Sequence, residues 1–211
     1  MQLVVRGYND GFAFCYKIPE GEGERVDVQS ELTAYNFAGD YTAWFYNGEN
    51  HNIGPEKLTE TDGTRLPVMT VKAGDKHYMA IHEACLETGA PLVLQSKGGE
   101  SLFSVASKPA CLSPGYTSAW RVVLHGATPG ALTDSHLLEL LNPDPDPRYD
   151  FSWVKPGLAV WDWRINGAVW DGFTYEMSYP SWVRMVDFAA EQGFKYLVLD
   201  ANWYGPEFES D

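Results

Sequence analysis

Leu158-Ala159-Val160-Trp161-Asp162-Trp163, the stretch Pro180–Gln192, and Tyr196-Leu197-Val198-Leu199-Asp200 decide how the carboxyl-terminal part of this chain is built. The two short apolar runs are continuous rather than alternating, the pattern of strands covered on both faces. Between them Trp182, Val186 and Ala189 recur at helical spacing, and Met185 and Phe188 widen that face. Pro180 suits a first helical turn, Ser178 is placed to cap it, and Gly193 stands where a helix end takes a positive φ. Strand, crossover helix, strand is a βαβ unit, so the spacing predicts two parallel strands.

Upstream the pattern changes. Short strand runs are expected at Leu3–Arg6, Phe12–Lys17, Arg25–Val28, Leu32–Phe37, Ala43–Tyr46, Pro67–Val71, His77–Glu83, Leu92–Gln95, Leu102–Ala106 and Trp120–His125. Turn residues punctuate them at Asp10-Gly11, Gly21-Glu22-Gly23, Asp62-Gly63, Ala73-Gly74-Asp75 and Lys97-Gly98-Gly99. Many short strands with glycine turns and almost no helix predict an antiparallel sandwich. Gly48 to Thr64 reads as a long polar loop, and Ala131 to Leu141 as a short helix. Asn142-Pro143-Asp144-Pro145-Asp146-Pro147 neither continues a helix nor donates to a ladder, so it reads as a linker. The expected organisation is a sandwich over 1–141, a linker over 142–149, and a βα-built segment over 150–211.

Composition narrows the function. The chain has 211 residues, 29 acidic against 15 basic side chains and a formal charge of −14. Such an excess disfavours a nucleic-acid partner, whose phosphates attract Lys and Arg. No apolar run approaches the 18 residues of a membrane span, so no membrane role is expected. Cys15, Cys85 and Cys111 lack metal-ligand spacing and read as small hydrophobes. Phosphate-binding glycine loops, His-Glu-x-x-His and Gly-x-Ser-x-Gly are not found.

Six of the eight tryptophans fall between Trp153 and Trp203. Both continuous strands end in acid and indole: Trp161-Asp162-Trp163 and Asp200-Ala201-Asn202-Trp203. In βα-built folds ligands bind beyond the carboxyl ends of the strands. Carboxylates hydrogen-bond sugar hydroxyls and indoles pack on pyranose faces, so this combination matches a carbohydrate site. The competing reading makes the tryptophans core and the aspartates turn caps. Farther upstream, strand parity puts Glu83 on the aliphatic side with Met79 and Ile81, where it needs a cation, a metal or several donors unless it reaches solvent at the strand end. His77 and His82 fall on opposite faces and form no metal pair, and His51, His125 and His136 have no evident partner.

The order of these features resembles glycoside hydrolase family 97, the calcium-dependent α-glucosidases and α-galactosidases. The resemblance is carried by Lys155-Pro156-Gly157, Trp161-Asp162-Trp163, Asp187 to Gly193 and Tyr196 to Trp203. Trp44, Ile81-His82-Glu83-Ala84 and Trp120-Arg121-Val122-Val123 extend it upstream. It implies an amino-terminal β-super-sandwich followed by a (β/α)8 TIM barrel, of which residues 150–211 would be the first βαβ unit. It implies Ca2+ as cofactor with Glu83 as a ligand, and an oligosaccharide substrate touched by Trp161, Asp162, Trp163, Asp200 and Trp203. Ala201 departs from the acidic residue common at that place in the family. The catalytic carboxylates of such enzymes come from later barrel strands, so no catalytic residue is expected here. A barrel needs about 250 residues, which makes the expected chain a fragment, inactive by itself. A periplasmic or secreted location is the family's usual one. The alternative is a non-catalytic carbohydrate-binding sandwich.

Overall fold

The computed structural model describes residues 1–21, 23–46, 48, 52–200 and 203–205. His51, Ala201 and Asn202 lie outside the described residues. The chain divides into two compact units, Met1–Asp144 and Pro145–Asp211.

In the first unit, strands β1 (Gln2–Tyr8), β2 (Gly11–Lys17), β3 (Val26–Val28), β4 (Ala34–Asn36), β5 (Thr42–Tyr46), β6 (Ile53–Lys57), β7 (Asp62–Gly74), β8 (His77–Ala84), β9 (Leu94–Lys97), β10 (Leu102–Val105), β11 (Ala110–Leu112) and β12 (Trp120–Gly126) follow in order. Ten of them form one sheet, ordered β1-β2-β12-β8-β7-β9-β10-β4 with β5 and β6 attached through β7; β3 and β11 pair separately. Every pairing in this unit is antiparallel. Strand β7 makes two layers from one sheet. Its Asp62–Arg65 end pairs with β9, whereas Leu66–Gly74 pairs with β5 and β8. A core then fills between the layers: Phe45, Met69, Val71 and Ile81 meet Leu94, Phe103 and Val105.

The residues that alternate with these point the other way. Ala80, Ala84, Val122 and Leu124 form a second cluster with Leu137 and Leu141. Those leucines come from helix α2 (Leu137–Leu141), which follows α1 (Pro129–Thr133). Two helices thus replace the single one expected over Ala131–Leu141. The break holds Ser135, whose hydroxyl donates to Asp10 Oδ2 (2.6 Å) and accepts the Leu137 N–H (3.2 Å).

Two turn expectations fail for local reasons. The Gly48–Thr64 loop is largely β6, a 3-10 turn over Leu58–Glu60 and the start of β7, because Leu58 and Thr61 are fully buried. Asp62-Gly63 accordingly lies inside β7. At the β1–β2 hairpin the glycine serves close approach. A Cβ on Gly11 would sit 2.2 Å from the Val123 carbonyl oxygen of β12.

The second unit contains β13 (Ala159–Trp161), α3 (Asp162–Ile165), the hairpin strands β14 (Val169–Trp170) and β15 (Phe173–Thr174), α4 (Tyr179–Gln192) and β16 (Tyr196–Val198). Strands β13 and β16 pair in parallel, Val160 opposite Leu197. The expected βαβ arrangement is present, and the structure adds the β14–β15 hairpin within the crossover. Asp171 (φ 50°) and Gly172 (φ 68°) supply the left-handed pair that a two-residue hairpin turn needs.

Helix α4 stops at Gly193 (φ 72°) as expected. Ser178 is the N-cap by position, but its side chain caps no backbone N–H; its hydroxyl lies 3.3 Å from that of Ser181. The helix buries Ser181, Met185 and Ala189, while Val186 and Phe188 of the expected apolar face remain half exposed. A strap ahead of β13 is fixed by Tyr196, whose hydroxyl donates to the Lys155 carbonyl. A Cβ on Gly157 would lie 2.9 Å from the Tyr196 ring, so the glycine lets the strap lie flat. No helix among the described residues is long and apolar enough to cross a membrane.

Candidate functional site

The carboxyl ends of β13 and β16 are joined by side chains. Trp161 closes β13 opposite Val198, and its indole Nε1–H donates to Asp200 Oδ2 at 2.7 Å. The next residue, Asp162, opens α3 and is 1% exposed. Its Oδ2 accepts the Trp182 indole N–H from α4 (2.8 Å), and its Oδ1 accepts the Asp200 backbone N–H (2.9 Å). Asp162, for which the resemblance implies contact with sugar, accepts a hydrogen bond on each oxygen within the unit. Burial requires this, because a carboxylate removed from water must keep its hydrogen bonds.

Above this stitch lies an open recess of 420 Å³, lined by Trp161, Val198, Leu199, Asp200, Trp203 and Tyr204. Trp161 is 37% and Trp203 57% exposed, so indole surface is open to a ligand rather than packed as core. Trp163 lies outside the lining. It stacks on Trp161 with centroids 5.6 Å apart and planes 30° apart, and the Arg164 guanidinium sits 5.0 and 5.1 Å from the two rings. Three of the five sugar-site expectations, Trp161, Asp200 and Trp203, therefore line one recess, Trp163 backs it and Asp162 underlies it. Tyr204 and Trp182 were not anticipated. Tyr204 carried no signal in the sequence, and Trp182 reads there as an ordinary member of an apolar helix face.

Glu83 belongs to the first unit. Parity placed it inward, and the cation it requires is Arg121, its cross-strand partner on β12. Arg121 is 3% exposed. Its Nη1 donates to Glu83 Oε2 (3.2 Å), while Nε and Nη2 grip Glu31 at 3.0 and 2.6 Å. The Leu92 N–H also donates to Glu83 Oε2, at 2.7 Å. Burial acts to raise the Glu31 pKa, but the Arg121 bonds and charge outweigh it and hold the carboxyl below the usual range. Burial pushes the nearby Tyr35 hydroxyl well up, and that oxygen has no hydrogen-bond partner among the described residues. Arg121 had a signal in the sequence, a cation between Trp120 and Val122; Glu31, ninety positions away, had none.

No group of three or more His, Cys, Asp or Glu side chains among the described residues is placed to hold a metal ion. Glu83 provides one hard oxygen donor already balanced by a guanidinium, so these residues do not by themselves fit a calcium shell of six to eight oxygens. His77 and His82 do not pair. His77 Nδ1 instead lies 3.5 Å from His125 Nε2, the partner the sequence left unassigned. His136 pairs with Glu139 at 3.6 Å on the surface.

Comparison with known proteins gives a consistent picture. The family described as glycosyl-hydrolase 97 N-terminal matches residues 1–143. A "probable retaining alpha-galactosidase" of Streptomyces bingchenggensis is 30% identical over 96% of this chain and 31% of its own length. The retaining alpha-galactosidase of Bacteroides thetaiotaomicron is 27% identical over 95% of this chain and 36% of its own. Among solved structures, a Glycoside Hydrolase Family 97 enzyme from Pseudoalteromonas sp. strain K8, in complex with acarbose, superposes with a TM-score of 0.75. Identity there is 25%, covering 94% of this chain and 33% of that one. A beta-arabinopyranosidase shares the fold at 18% identity and a TM-score of 0.74. The chain spans about a third of the length of the curated relatives it matches.

Proposed function

Because the chain belongs to the glycosyl hydrolase 97 family through residues 1–143, we propose that it serves in hydrolysis of terminal α-glycosidic bonds of oligosaccharides. The observation that carries this reading within the second unit is the recess at the parallel strand ends, where Trp161, Asp200 and Trp203 converge. Exposed indole faces suit the apolar side of a pyranose, and a carboxylate suits its hydroxyls. The names of the two curated relatives make α-galactosides the first substrates to try. A variant of the Pseudoalteromonas enzyme, solved in complex with panose, keeps α-glucosides in view.

In this reading residues 150–211 open a (β/α)8 barrel and residues 1–141 form the sandwich that precedes it. The exposed apolar surface of α4, including Val183, Val186 and Phe188, is what further barrel elements would cover. Glycoside hydrolysis uses two carboxylates flanking the bond, about 5–10 Å apart. Asp162 and Asp200 are not that pair: one is buried with both oxygens taken, and the other holds an indole. Acid and nucleophile or base belong to the remaining two-thirds of the relatives' length. Glu83 is proposed as one calcium ligand, with Arg121 and the Leu92 N–H fixing its carboxylate and Glu31 fixing Arg121. The remaining oxygens of the shell would come from outside these 211 residues. Glu83 would hold such a cation together with donors from elsewhere, and the chemistry supplied would be Lewis acidity toward an oxygen. Secretion or periplasmic placement is proposed with the family.

The test is hydrolysis of 4-nitrophenyl α-galactoside and α-glucoside by the 211 residues alone and by the product continued through its downstream coding sequence. Turnover of either substrate is expected from the longer product only, falling on removal of calcium. Sugar binding without turnover in the longer product would favour the non-catalytic binding module.

A further inference from the structure

Three elements meet at one buried carboxylate that lies outside the recess. Asp162 accepts one hydrogen bond from the Trp182 indole of α4 and one from the Asp200 backbone N–H just beyond β16. Asp200 in turn accepts the Trp161 indole N–H from β13 through its side chain. The result is a relay: Trp182 to Asp162, Asp162 to the Asp200 backbone, the Asp200 carboxylate to Trp161. Trp182 and Asp162 lie outside the recess lining, while Asp200 and Trp161 are part of it.

We propose that Trp182 and Asp162 are positioning residues for the sugar recess, setting the Asp200 carboxylate and the Trp161 ring plane from beneath. The inference rests on the sugar-site reading above and assigns Trp182 a role beyond packing. Physical reasoning supports a directional part rather than a generic one. A carboxylate has two in-plane oxygens, so accepting two N–H groups at 2.8 and 2.9 Å fixes its rotation. Bonds to a charged acceptor are about twice as strong as neutral ones and hold their geometry more tightly. The donor atom of Trp182 is a single N–H on a rigid ring. If that bond is removed, Asp162 is held by the Asp200 N–H alone, its plane is no longer fixed from two sides, and the hold on Asp200 and on the Trp161 indole bonded to it loosens. Packing alone would need the ring of Trp182 but not its N–H.

The experiment uses the full 211-residue chain and two variants, Trp182→Phe and Asp162→Asn. Phenylalanine keeps a flat ring and removes the N–H. Asparagine keeps the volume and turns one acceptor into a donor, which opposes whichever N–H it faces. Amide exchange at Asp200 and the indole Nε1–H resonance of Trp161 are read by NMR, with Val160 and Leu197 as ladder controls. Both variants are expected to speed Asp200 exchange about tenfold or more, on the scale of one lost charge-assisted bond, and to move the Trp161 resonance. The controls stay unchanged. Unchanged Asp200 and Trp161 signals in Trp182→Phe, or changes spread evenly over α4 and β16, would overturn the proposal.

Titration with methyl α-galactoside and panose then separates this inference from the reading it rests on. Binding to the parent chain that weakens at least fivefold in both variants supports both. A shifted Asp200 signal with no sugar bound by the parent chain leaves the relay standing and removes its sugar role.

Discussion

The two units of this chain are held together by different means. The first buries Phe45, Leu58, Met69, Ile81, Leu94 and Phe103 completely or nearly so, between two layers of one sheet. In the second, the buried apolar residues among those described are Met185 and Ala189, alongside polar Asp162 and Ser181. Its large aromatics lie outside: Trp153 and Trp170 are 76% and 75% exposed. One unit is stabilised by area removed from water, at about 25 cal/mol per Å². The other depends more on hydrogen bonds placed where two strands end. Wide apolar exposure beside a built polar network sets this unit apart from the filled core of the first.

Phe103→Ala should cost about 3–5 kcal/mol, since it empties a fully buried site that touches Phe37 and Phe45. Denaturant unfolding of the first unit checks it, and a loss under about 1 kcal/mol would mean the layers are looser than described. Arg121→Met should cost a similar amount, about 3–5 kcal/mol, because it strands two partly buried carboxylates. Replacing Glu31, Glu83 and Arg121 together by apolar residues should recover most of that loss. A triple variant as unstable as the single one would show that the cluster contributes more than charge balance.

Amide exchange should separate the units directly. Val122 and Ile81 in the first are expected to exchange slowly, and Val160 and Leu197 faster. Equal protection would mean that the two units open with the same free energy.

The acid side offers a smaller effect. The Glu31 carboxyl is held below its ordinary value of 4.5, so its contribution is complete above that pH and fades as pH falls through the folded value. His82 is also lowered from 6.5, because burial disfavours its charged form; the unfolded chain takes up that proton more readily. Both shifts give stability that declines on acidification, the His82 part below about 6.5 and the Glu31 part only below about 4.5. A melting temperature that rises on acidification from about pH 7 to about pH 5 would contradict the burial of His82, and one that holds steady as pH falls well below 4.5 would contradict the Arg121 grip on Glu31. At the small end, Glu139→Gln should change stability by less than about 0.5 kcal/mol, since its partner His136 stands mostly in solvent.

How far the sequence reached follows the same divide. Strands with alternating or continuous apolar patterns were legible, and so were α4 and its glycine stop, because local periodicity encodes burial directly. The β6 strand was not, since Ile53-Gly54-Pro55-Glu56-Lys57 is largely polar in pattern and is held by pairing with β5. Nor was the β7 corner, where one strand serves two layers and its polar Asp62–Arg65 end pairs with β9. The candidate site was legible by residue type at the strand ends. Which of those residues face outward was not, because Asp162 and Asp200 differ through Trp182, twenty residues away from Asp162 in the chain. The Arg121–Glu83 pair followed from parity once the register was known, while Glu31 comes from beyond any local pattern.

On the reading proposed above, the recess at the ends of β13 and β16 takes a sugar. The most direct test is an NMR titration of the whole 211-residue chain with methyl α-galactoside and panose, following the indole Nε1–H signals. The predicted result is saturable movement of the Trp161 and Trp203 resonances, with Trp44 and Trp120 of the first unit still. Titration of either sugar into the millimolar range without movement of Trp161 and Trp203, or with all tryptophans moving alike, would contradict it.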